Sequence, residues 1–412
     1  MYRALVSAAY LAVYPWLAKR YQIGLSERKA LYAPEKQRMF SERPLWVHAV
    51  SVGEVQSAWP LLEEVHTDPV SIPVVLSTTT PTGRAMAYQL TPHLFNTHIY
   101  YPWDIPWIIK RALDNMNPRA YAVIETEIWP NLLKELEKRR IPAFLVNGRF
   151  SVSTSARAKK SAHFWRDIYS CFTRLMVRSD KDADHLLSLG VSAHKIVVTG
   201  DCKVDALRLR HKDVDLSFWQ STLGTERPLF LAGSTHTGED EIVLKAFRIV
   251  RERFPKARLI IVPRHPERAA DVERLAGNVA RTCRLSSLSE GWSILIVDKI
   301  GVLFELYGVV DSAFIGGSLV PKGGQNLMEA AAFRVPVCHG PHMEDFPEAA
   351  EALGDLNVSV VVRSADEMAK RWMGSLSPSL RETVQKGSRL YFEQVGGAAR
   401  ASWKEIREEM SI

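Results

Sequence analysis

Short apolar runs alternate repeatedly with amphipathic stretches along this chain, and this alternation limits the folds that the chain can adopt. Short apolar runs predict buried strands, and amphipathic stretches predict helices. Strands that alternate with helices form parallel sheets covered on both faces, so the predicted fold class is α/β. The predicted strands are residues 45–50, 74–78, 99–101, 120–124, 143–147, 175–178, 195–199, 229–232, 257–262, 293–297, 312–315 and 335–339.

The alternation occurs in two series, which indicates two domains. Residues 205–228 are charged, lack a strand pattern and separate the two series. The length of 412 residues agrees with this count, because domains average roughly 100–200 residues. We predict a membrane-anchoring segment 1–25, a Rossmann-like acceptor domain 26–207 and a Rossmann-like CMP-sugar-binding domain 208–412. A long helix is predicted from about residue 380 onward. Ligands of such sheets bind beyond the carboxyl ends of the strands, and two such domains facing each other would form a cleft.

The N-terminal segment predicts contact with a membrane surface. Residues 4–17 are apolar and lie between Arg3 and the pair Lys19-Arg20. A spanning helix needs about 20 apolar residues, so this stretch is short. Aromatic and basic flanks are typical of an interfacial anchor, which is the preferred interpretation. An ordinary buried helix and a true membrane span are the alternatives.

Charge and cysteine content narrow the class of partner. The net charge of +7 favours an anionic partner such as acidic lipid, nucleic acid or a phosphorylated substrate. The basic residues are scattered, which disfavours a nucleic-acid partner. The four cysteines form no CxxC pair, so a reducing compartment is expected. No metal-ligand cluster is visible in the sequence, and we expect neither a metal nor a cofactor.

Four motifs follow strands of the first series. Glu54 in SVGE begins a helix, where it acts either as a helix cap or as a general base. Glu125 and Glu127 of ETEIWPN share one side if their strand continues, and they form either a structural ion pair or an acid-base site. Lys203 of TGDCKVD either pairs with a neighbouring aspartate or neutralises a departing phosphate. The hydroxyls of TTTPTG (78–83) most simply cap a helix.

Three motifs of the second series indicate an anion or nucleotide site. GSTHTGE (233–239) places small residues and hydroxyls at a helix start, without a Walker A or GxGxxG pattern. Arg264 of PRHP suits phosphate recognition, whereas His265 is more typical of a structural hydrogen bond. The glycine pairs of residues 316–332 offer backbone amides to a nucleotide. Asn326 and Glu329 share a helix face there, and Glu329 suits ribose hydroxyls; the alternative is a flexible loop with a capping asparagine.

Taken together, these motifs resemble the 3-deoxy-D-manno-octulosonic acid (Kdo) transferases, which load Kdo onto the lipid A precursor of Gram-negative bacteria. The motifs are HAVSVGE, TTTPTG, YPWD, ETEIWPN, TGDCKVD, GSTHTGE, PRHPER and GGSLVPKGGQNLMEAAA. The resemblance implies a GT-B glycosyltransferase that uses CMP-Kdo as donor, inverts the anomeric carbon and functions in lipopolysaccharide biosynthesis. It also implies a lipid A precursor as acceptor and a place on the cytoplasmic face of the inner membrane.

The same resemblance assigns residues. Glu54 is the implied proton acceptor, and Glu125 and Lys203 are implied to stabilise the transition state. The implied CMP-binding residues are Pro263, Arg264, Ile300, Gly301, Val302, Asn326, Leu327, Met328 and Glu329. The chain departs from the usual family pattern at Ile300, Val302, Leu327 and Met328, where backbone atoms can make the contacts. Another GT-B nucleotide-sugar transferase or epimerase is the alternative function, and a non-catalytic membrane adaptor is an alternative from another class.

Overall fold

The computed structural model describes residues 2–150 and 161–411 and divides into two compact units. The first unit comprises Met1–Ala206 together with Val395–Ile412, and the second comprises Leu207–Gln394. Each unit is built on one parallel sheet of seven strands. The predicted α/β class with two sheet-centred units is therefore confirmed.

The sheet of the first unit has the strand order β3-β2-β1-β4-β5-β6-β7. Its central strands are buried along their whole length, as their continuous apolar sequences require. The order reverses between β1 and β4, which is the position where ligands of such sheets bind. The strands are β1 (Leu45–His48), β2 (Val74–Thr78), β3 (Thr97–Tyr100), β4 (Ala120–Ile124), β5 (Ala143–Gly148), β6 (Arg174–Val177) and β7 (Ile196–Val198).

The helices of the first unit connect these strands, and one further helix comes from the C-terminus. They are Tyr2–Arg20, Leu25–Arg28, Pro34–Phe40, Val52–His66, Pro81–Leu90, Pro106–Met116, Pro130–Arg139, Ala162–Tyr169, Asp180–Ser188, the 3-10 turn Ala193–Lys195, Cys202–Lys212 and Ala398–Glu409. Cys202–Lys212 crosses from the first unit into the second. Across the described residues, none of the helices has both the length and the hydropathy needed to cross a bilayer.

The sheet of the second unit has the order β10-β11-β9-β8-β12-β13-β14 and reverses between β8 and β12. Its strands are β8 (Leu229–Thr235), β9 (Arg258–Pro263), β10 (Thr282–Arg284), β11 (Ile294–Ile296), β12 (Ser312–Ile315), β13 (Val337–His339) and β14 (Ser359–Val361). Its helices are Ser217–Leu223, Asp240–Arg253, Pro266–Arg268 (3-10), Ala269–Gly277, Leu285–Ser287 (3-10), Leu303–Tyr307, Met328–Ala332, Pro347–Asp355, Ala365–Gly374 and Pro378–Val395.

The C-terminus differs from the sequence-based division, which assigned residues 208–412 to the second domain. The predicted long helix is two helices, because Gly397 adopts a φ of 94° between them. The Asp205 carboxylate accepts hydrogen bonds from the backbone nitrogens of Gly397 and Ala399, at 2.7 and 2.9 Å. The indole nitrogen of Trp403 donates to Asp68 at 2.8 Å. These bonds hold the last helix on the first unit.

Candidate functional site

Glu54 lies at the beginning of the helix that follows β1. Its Oε2 accepts hydrogen bonds from the Ser51 backbone nitrogen, at 3.1 Å, and from the Ser51 hydroxyl. Within the described ranges, Oε1 of this carboxylate has no hydrogen bond. The neighbouring Gly53 faces open space, since a Cβ atom there would meet nothing within 4 Å. Glu54 therefore caps its helix and still offers one oxygen to a ligand.

Glu125 follows the last residue of β4 and turns away from the strand path. Its φ is 63°, in the left-handed region, and its backbone nitrogen donates to the Val146 carbonyl at 2.8 Å. The strand therefore stops at Ile124, and the alternation of faces expected for Glu125 and Glu127 does not apply. A left-handed conformation at a residue other than glycine is costly, and such residues cluster at functional sites.

The Glu125 carboxylate contacts two other elements. Its Oε1 accepts a hydrogen bond from the Ser57 hydroxyl at 3.2 Å and lies 2.8 Å from Nζ of Lys203. Ser57 is on the same helix as Glu54, one turn further along. The structure thus brings the end of β4, the helix after β1 and the start of the helix after β7 to one edge of the first sheet.

The ion pair of Lys203 differs from one of the sequence-based alternatives. A pair with Asp201 or Asp205 was the structural alternative, but both carboxylates have other partners. Asp201 pairs with Arg178 at 2.8 Å and accepts the backbone nitrogen of Lys203. Asp205 binds the backbone of the C-terminal helix. The Lys203 side chain, which is 39% exposed, is therefore directed to Glu125.

A third carboxylate belongs to the same group. Burial raises the pKa of Glu127, and the charges of Glu54 and then Glu125 raise it further. The charges of Glu54 and Glu125 thus both reach Glu127, and the ammonium group of Lys203 pairs with Glu125. We call these four residues the acidic site. Several carboxylates with one raised pKa are the arrangement that acid-base chemistry on a hydroxyl requires.

The TTTPTG motif has a structural role. Oγ1 of Thr80 accepts a hydrogen bond from the Gly83 backbone nitrogen at 2.9 Å and caps the helix Pro81–Leu90. The buried Arg28 guanidinium donates to the Thr79 carbonyl at 2.6 Å. The capping interpretation of this motif is confirmed.

In the second unit, a buried glutamate organises the glycine-rich loop. The Glu239 carboxylate is fully buried and accepts the backbone nitrogens of His236, Gly317, Ser318 and Leu319, at 2.9, 2.7, 3.0 and 2.9 Å. Three of the loop amides expected to cradle a nucleotide are therefore already occupied. The spacing of Glu239 within GSTHTGE matches an ordinary helix start, so no sequence pattern indicates this role.

The predicted CMP-binding residues Pro263 and Arg264 lie where β9 ends. Pro263 is the last residue of the strand and is buried. The Arg264 backbone nitrogen donates to the Thr235 carbonyl at 3.0 Å, which ties the end of β9 to that of β8. The Arg264 side chain is exposed, and among the described residues no carboxylate pairs with it. Its guanidinium is thus available to an anion.

The predicted residues 300–302 follow β11. Ile300 is 86% exposed, so its side chain is not part of the core. Gly301 has a φ of 92°, a conformation that favours glycine. Val302 lies immediately before the helix Leu303–Tyr307. The positions are accessible, which agrees with the expectation of backbone contacts.

The predicted residues 326–329 precede and begin a short helix. Asn326 lies before the helix Met328–Ala332, and its side-chain oxygen accepts a hydrogen bond from the Met328 backbone nitrogen at 3.1 Å. Because Asn326 is outside the helix, the prediction that Asn326 and Glu329 share a helix face is wrong. Leu327 and Met328 are buried, so their side chains belong to the core.

Glu329 is surrounded by residues that the sequence analysis missed. Burial raises its pKa, and the charge of Arg210 acts in the opposite direction. The Arg210 guanidinium lies 3.9 Å from the ring centre of Phe304. Burial raises the pKa of Tyr307, and the charge of Glu329 raises it further. Arg210 lies in the predicted boundary region, where no strand-end pattern singles it out.

Comparisons with known proteins agree with the sequence resemblance. Residues 23–206 match the family model described as 3-deoxy-D-manno-octulosonic-acid transferase (kdotransferase). The 3-deoxy-D-manno-octulosonic acid transferase of Haemophilus influenzae is 32% identical over 385 residues, which cover 90% of this chain and 87% of that protein. The enzyme of the same name from Bordetella pertussis is 31% identical and covers 87% and 85%.

Among solved structures, the UDP-GlcNAc 2-epimerase of Neisseria meningitidis is similar in fold. It has a TM-score of 0.63 and 14% identity, and the match covers 89% of this chain and 100% of the epimerase. This similarity concerns the fold alone.

Proposed function

The chain belongs to the 3-deoxy-D-manno-octulosonic acid transferase family, and we propose that it transfers Kdo from CMP-Kdo to a hydroxyl of the lipid A precursor. The observation that carries the proposal is the acidic site. It lies within the residues that match the family model, and it joins Glu54, Glu125 and Lys203 at the carboxyl edge of one sheet. Motifs separated by up to about 150 residues in the sequence thus meet in one group of side chains.

In the proposed reaction, Glu54 accepts the proton of the acceptor hydroxyl. The hydroxyl oxygen then attacks the anomeric carbon of the donor, and CMP leaves from the opposite face, which inverts the configuration. The Oε1 atom of Glu54 is the oxygen available for this proton. A base of this kind contributes roughly 100- to 10,000-fold to the rate.

Lys203 and Glu125 act as a pair in this proposal. Negative charge develops on the departing phosphate, and a fixed ammonium group stabilises it. The 2.8 Å contact with Glu125 fixes the direction of the Lys203 side chain, and Ser57 in turn fixes Glu125. A positioned charge stabilises the transition state without first having to reorganise.

The second unit is proposed to bind the nucleotide. Arg264 offers an unpaired guanidinium to the phosphate, and the backbone around Gly301 and Asn326 offers contacts to cytidine. Glu329 is proposed to bind the ribose hydroxyls. Because burial raises its pKa, it carries its proton to a higher pH than an exposed glutamate and can then also donate a hydrogen bond.

We further propose that the N-terminal helix Tyr2–Arg20 holds the protein on the cytoplasmic face of the inner membrane. Leu11 and Trp16 are 67% and 60% exposed, and Lys19 and Arg20 follow in the last turn. On the inner side, the Tyr10 ring packs against Trp103 with ring centres 5.5 Å apart. Exposed apolar residues followed by cations are typical of interfacial helices.

The membrane proposal is tested by flotation with vesicles that contain anionic lipid. We expect Leu11→Ser/Trp16→Ser to reduce the bound fraction strongly, because the variant loses apolar contact while the Tyr10 packing is kept. Leu187→Ser, which alters an exposed leucine elsewhere in the first unit, is the matched control. Equal flotation of the double variant and the wild type would contradict the proposal.

The transferase proposal is tested by mass spectrometry of lipid products. The protein is incubated with a tetraacylated lipid A precursor and either CMP-Kdo or a UDP-sugar. We expect the precursor to gain Kdo with CMP-Kdo and to stay unmodified with the UDP-sugar. An unmodified lipid with CMP-Kdo, in a preparation that binds CMP, would contradict the proposal.

A further inference from the structure

His236, between the end of β8 and the helix Asp240–Arg253, has a ring nitrogen without a partner. Its Nε2 is buried and has no hydrogen bond within the described part of the chain. The backbone nitrogen of the same residue is fixed by Glu239 at 2.9 Å. A buried polar atom without a partner destabilises the folded protein, and a ligand that bonds to it removes this penalty. The backbone of His236 is thus fixed, and its imidazole keeps one buried polar atom unused.

The surroundings of His236 favour a small anion. Gly317 has a φ of 69°, and a Cβ atom there would lie 3.5 Å from Nε2 of His236 and 3.6 Å from Nε2 of Gln325. The glycine therefore leaves space directly beside both nitrogens. The Glu239 carboxylate also acts on the imidazole, but its charge is shared among four backbone nitrogens. The charges of His265, Arg268 and Lys322 act in the opposite direction, and the His265 ring lies 6.2 Å away.

The charges around this space are not equally available. Arg268 pairs with Asp240 and donates to the Thr235 carbonyl at 2.7 Å, so its charge is largely committed. Lys322 is exposed, and no carboxylate pairs with it among the residues described. Burial lowers the pKa of His236, so the imidazole is neutral at pH 7 and can donate from one nitrogen.

The donor that we propose for this protein has two anionic groups on one carbon, the phosphate ester and the carboxylate of the sugar acid. Arg264, which follows β9, already offers an unpaired guanidinium for the phosphate. We propose that His236 binds the sugar carboxylate through Nε2 and that Lys322 supplies the balancing charge. This inference rests on the proposed function and identifies the part of the donor that this site recognises.

The test compares donor and nucleotide affinity by titration calorimetry in the Glu54→Gln protein, which prevents turnover. We expect His236→Ala in this background to weaken CMP-Kdo binding about tenfold, as loss of one hydrogen bond to a charged group predicts. CMP, which lacks the carboxylate, should bind within about twofold of the parent, because the phosphate keeps its own partner. His236→Gln, which retains an N–H donor, should recover most of the lost affinity.

His342→Ala is the matched control, because His342 also belongs to the second unit but pairs with Glu344. Its affinities for both ligands should equal those of the parent. Equal losses for CMP and CMP-Kdo in His236→Ala would show that His236 binds the phosphate and would overturn the assignment, as would unchanged CMP-Kdo binding. Failure of the proposed function is recognised separately, as the absence of lipid product from the wild-type protein.

Discussion

Glu54 and Glu239 make the same backbone contact near a helix start in each unit, yet their environments differ. Each lies at a helix start after the first strand of its sheet, and each accepts the backbone nitrogen of the residue three positions earlier, at 3.1 and 2.9 Å. Glu239 is fully buried and binds three further amides. Glu54 is partly exposed and keeps one oxygen without a bond.

A carboxylate near a helix start that accepts a backbone nitrogen can therefore serve either structure or chemistry. The number of backbone nitrogens that the surrounding loops direct at the carboxylate distinguishes the two roles. The wider sites differ in the same way. At the edge of the first sheet Glu125 pairs with Lys203, whereas at the edge of the second Glu239 is bound by backbone nitrogens and Asp240 by Arg268, and Arg264 and Lys322 have no carboxylate partner among the described residues. One sheet topology thus supports two different chemistries through its loops.

The largest effect is expected at the exposed member of the pair. Glu54→Gln should lower turnover roughly 100- to 10,000-fold, because the amide cannot accept the acceptor proton. Glu64→Gln, further along the same helix, is the matched control and should keep the wild-type rate. The measurement is the initial rate of Kdo transfer. A Glu54→Gln rate close to that of the control would show that Glu54 is not the base, and the proposed difference in role between Glu54 and Glu239 would then be wrong.

The next effect tests whether the lysine of the acidic site is more than the partner of Glu125. Lys203→Ala should lower turnover about 100- to 1,000-fold, since a positioned charge is lost from the transition state. Because Lys203 is 39% exposed, the thermal unfolding temperature should change little. Lys212→Ala, at the end of the same helix, serves as control. Loss of stability that matches the loss of rate would instead indicate a structural ion pair.

The buried member of the pair should respond in stability. Glu239→Gln should lower the free energy of unfolding by about 3 kcal/mol, because an amide group replaces a carboxylate that accepts four backbone nitrogens. Glu241→Gln, exposed on the adjacent helix, should have no such effect. Urea denaturation gives the comparison. If both variants unfold alike, Glu239 does not hold the glycine-rich loop.

The smallest effect is a pH dependence that belongs to the acidic site. Burial, followed by the charges of Glu54 and Glu125, raises the pKa of Glu127. The folded protein therefore binds this proton more tightly than the unfolded chain does. Its contribution to stability is present below the ordinary glutamate pKa of about 4.3 and is lost as the pH rises through the raised value.

Glu127→Gln removes this titration. Relative to wild type, we expect the variant to gain stability as the pH rises across that window and to keep the gain at neutral pH. Urea denaturation at a series of pH values measures the difference, with Glu42→Gln as an exposed control in the same unit. Parallel curves for Glu127→Gln and wild type would show that the three carboxylates do not interact.

Much of the sheet architecture could be predicted from the sequence, because buried parallel strands are continuous apolar runs. Strands β2, β4 and β12 have the predicted bounds. Strands Thr282–Arg284 and Ser359–Val361 were missed, since each has three residues and lies at a sheet edge. The break at Gly397 was also missed, because the helical pattern continues on both sides of it.

The candidate site was predictable only as separate motifs. Strand ends identified Glu54, Glu125 and Lys203, but the contact between Glu125 and Lys203 depends on a left-handed turn at Glu125 that no local pattern signals. Likewise, the sequence does not show that Glu239 occupies the loop amides, because its donors lie about 80 residues away. Long-range hydrogen bonds decided these roles.

In this account Glu54 serves the chemical step, and the second unit binds the nucleotide. The affinity of the Glu54→Gln protein for CMP-Kdo separates these two roles. Titration calorimetry should give a dissociation constant within about twofold of the one measured for CMP-Kdo with the Glu64→Gln control. A loss of donor affinity as large as the loss of turnover would contradict the account, because Glu54 would then be a donor-binding residue and not the base.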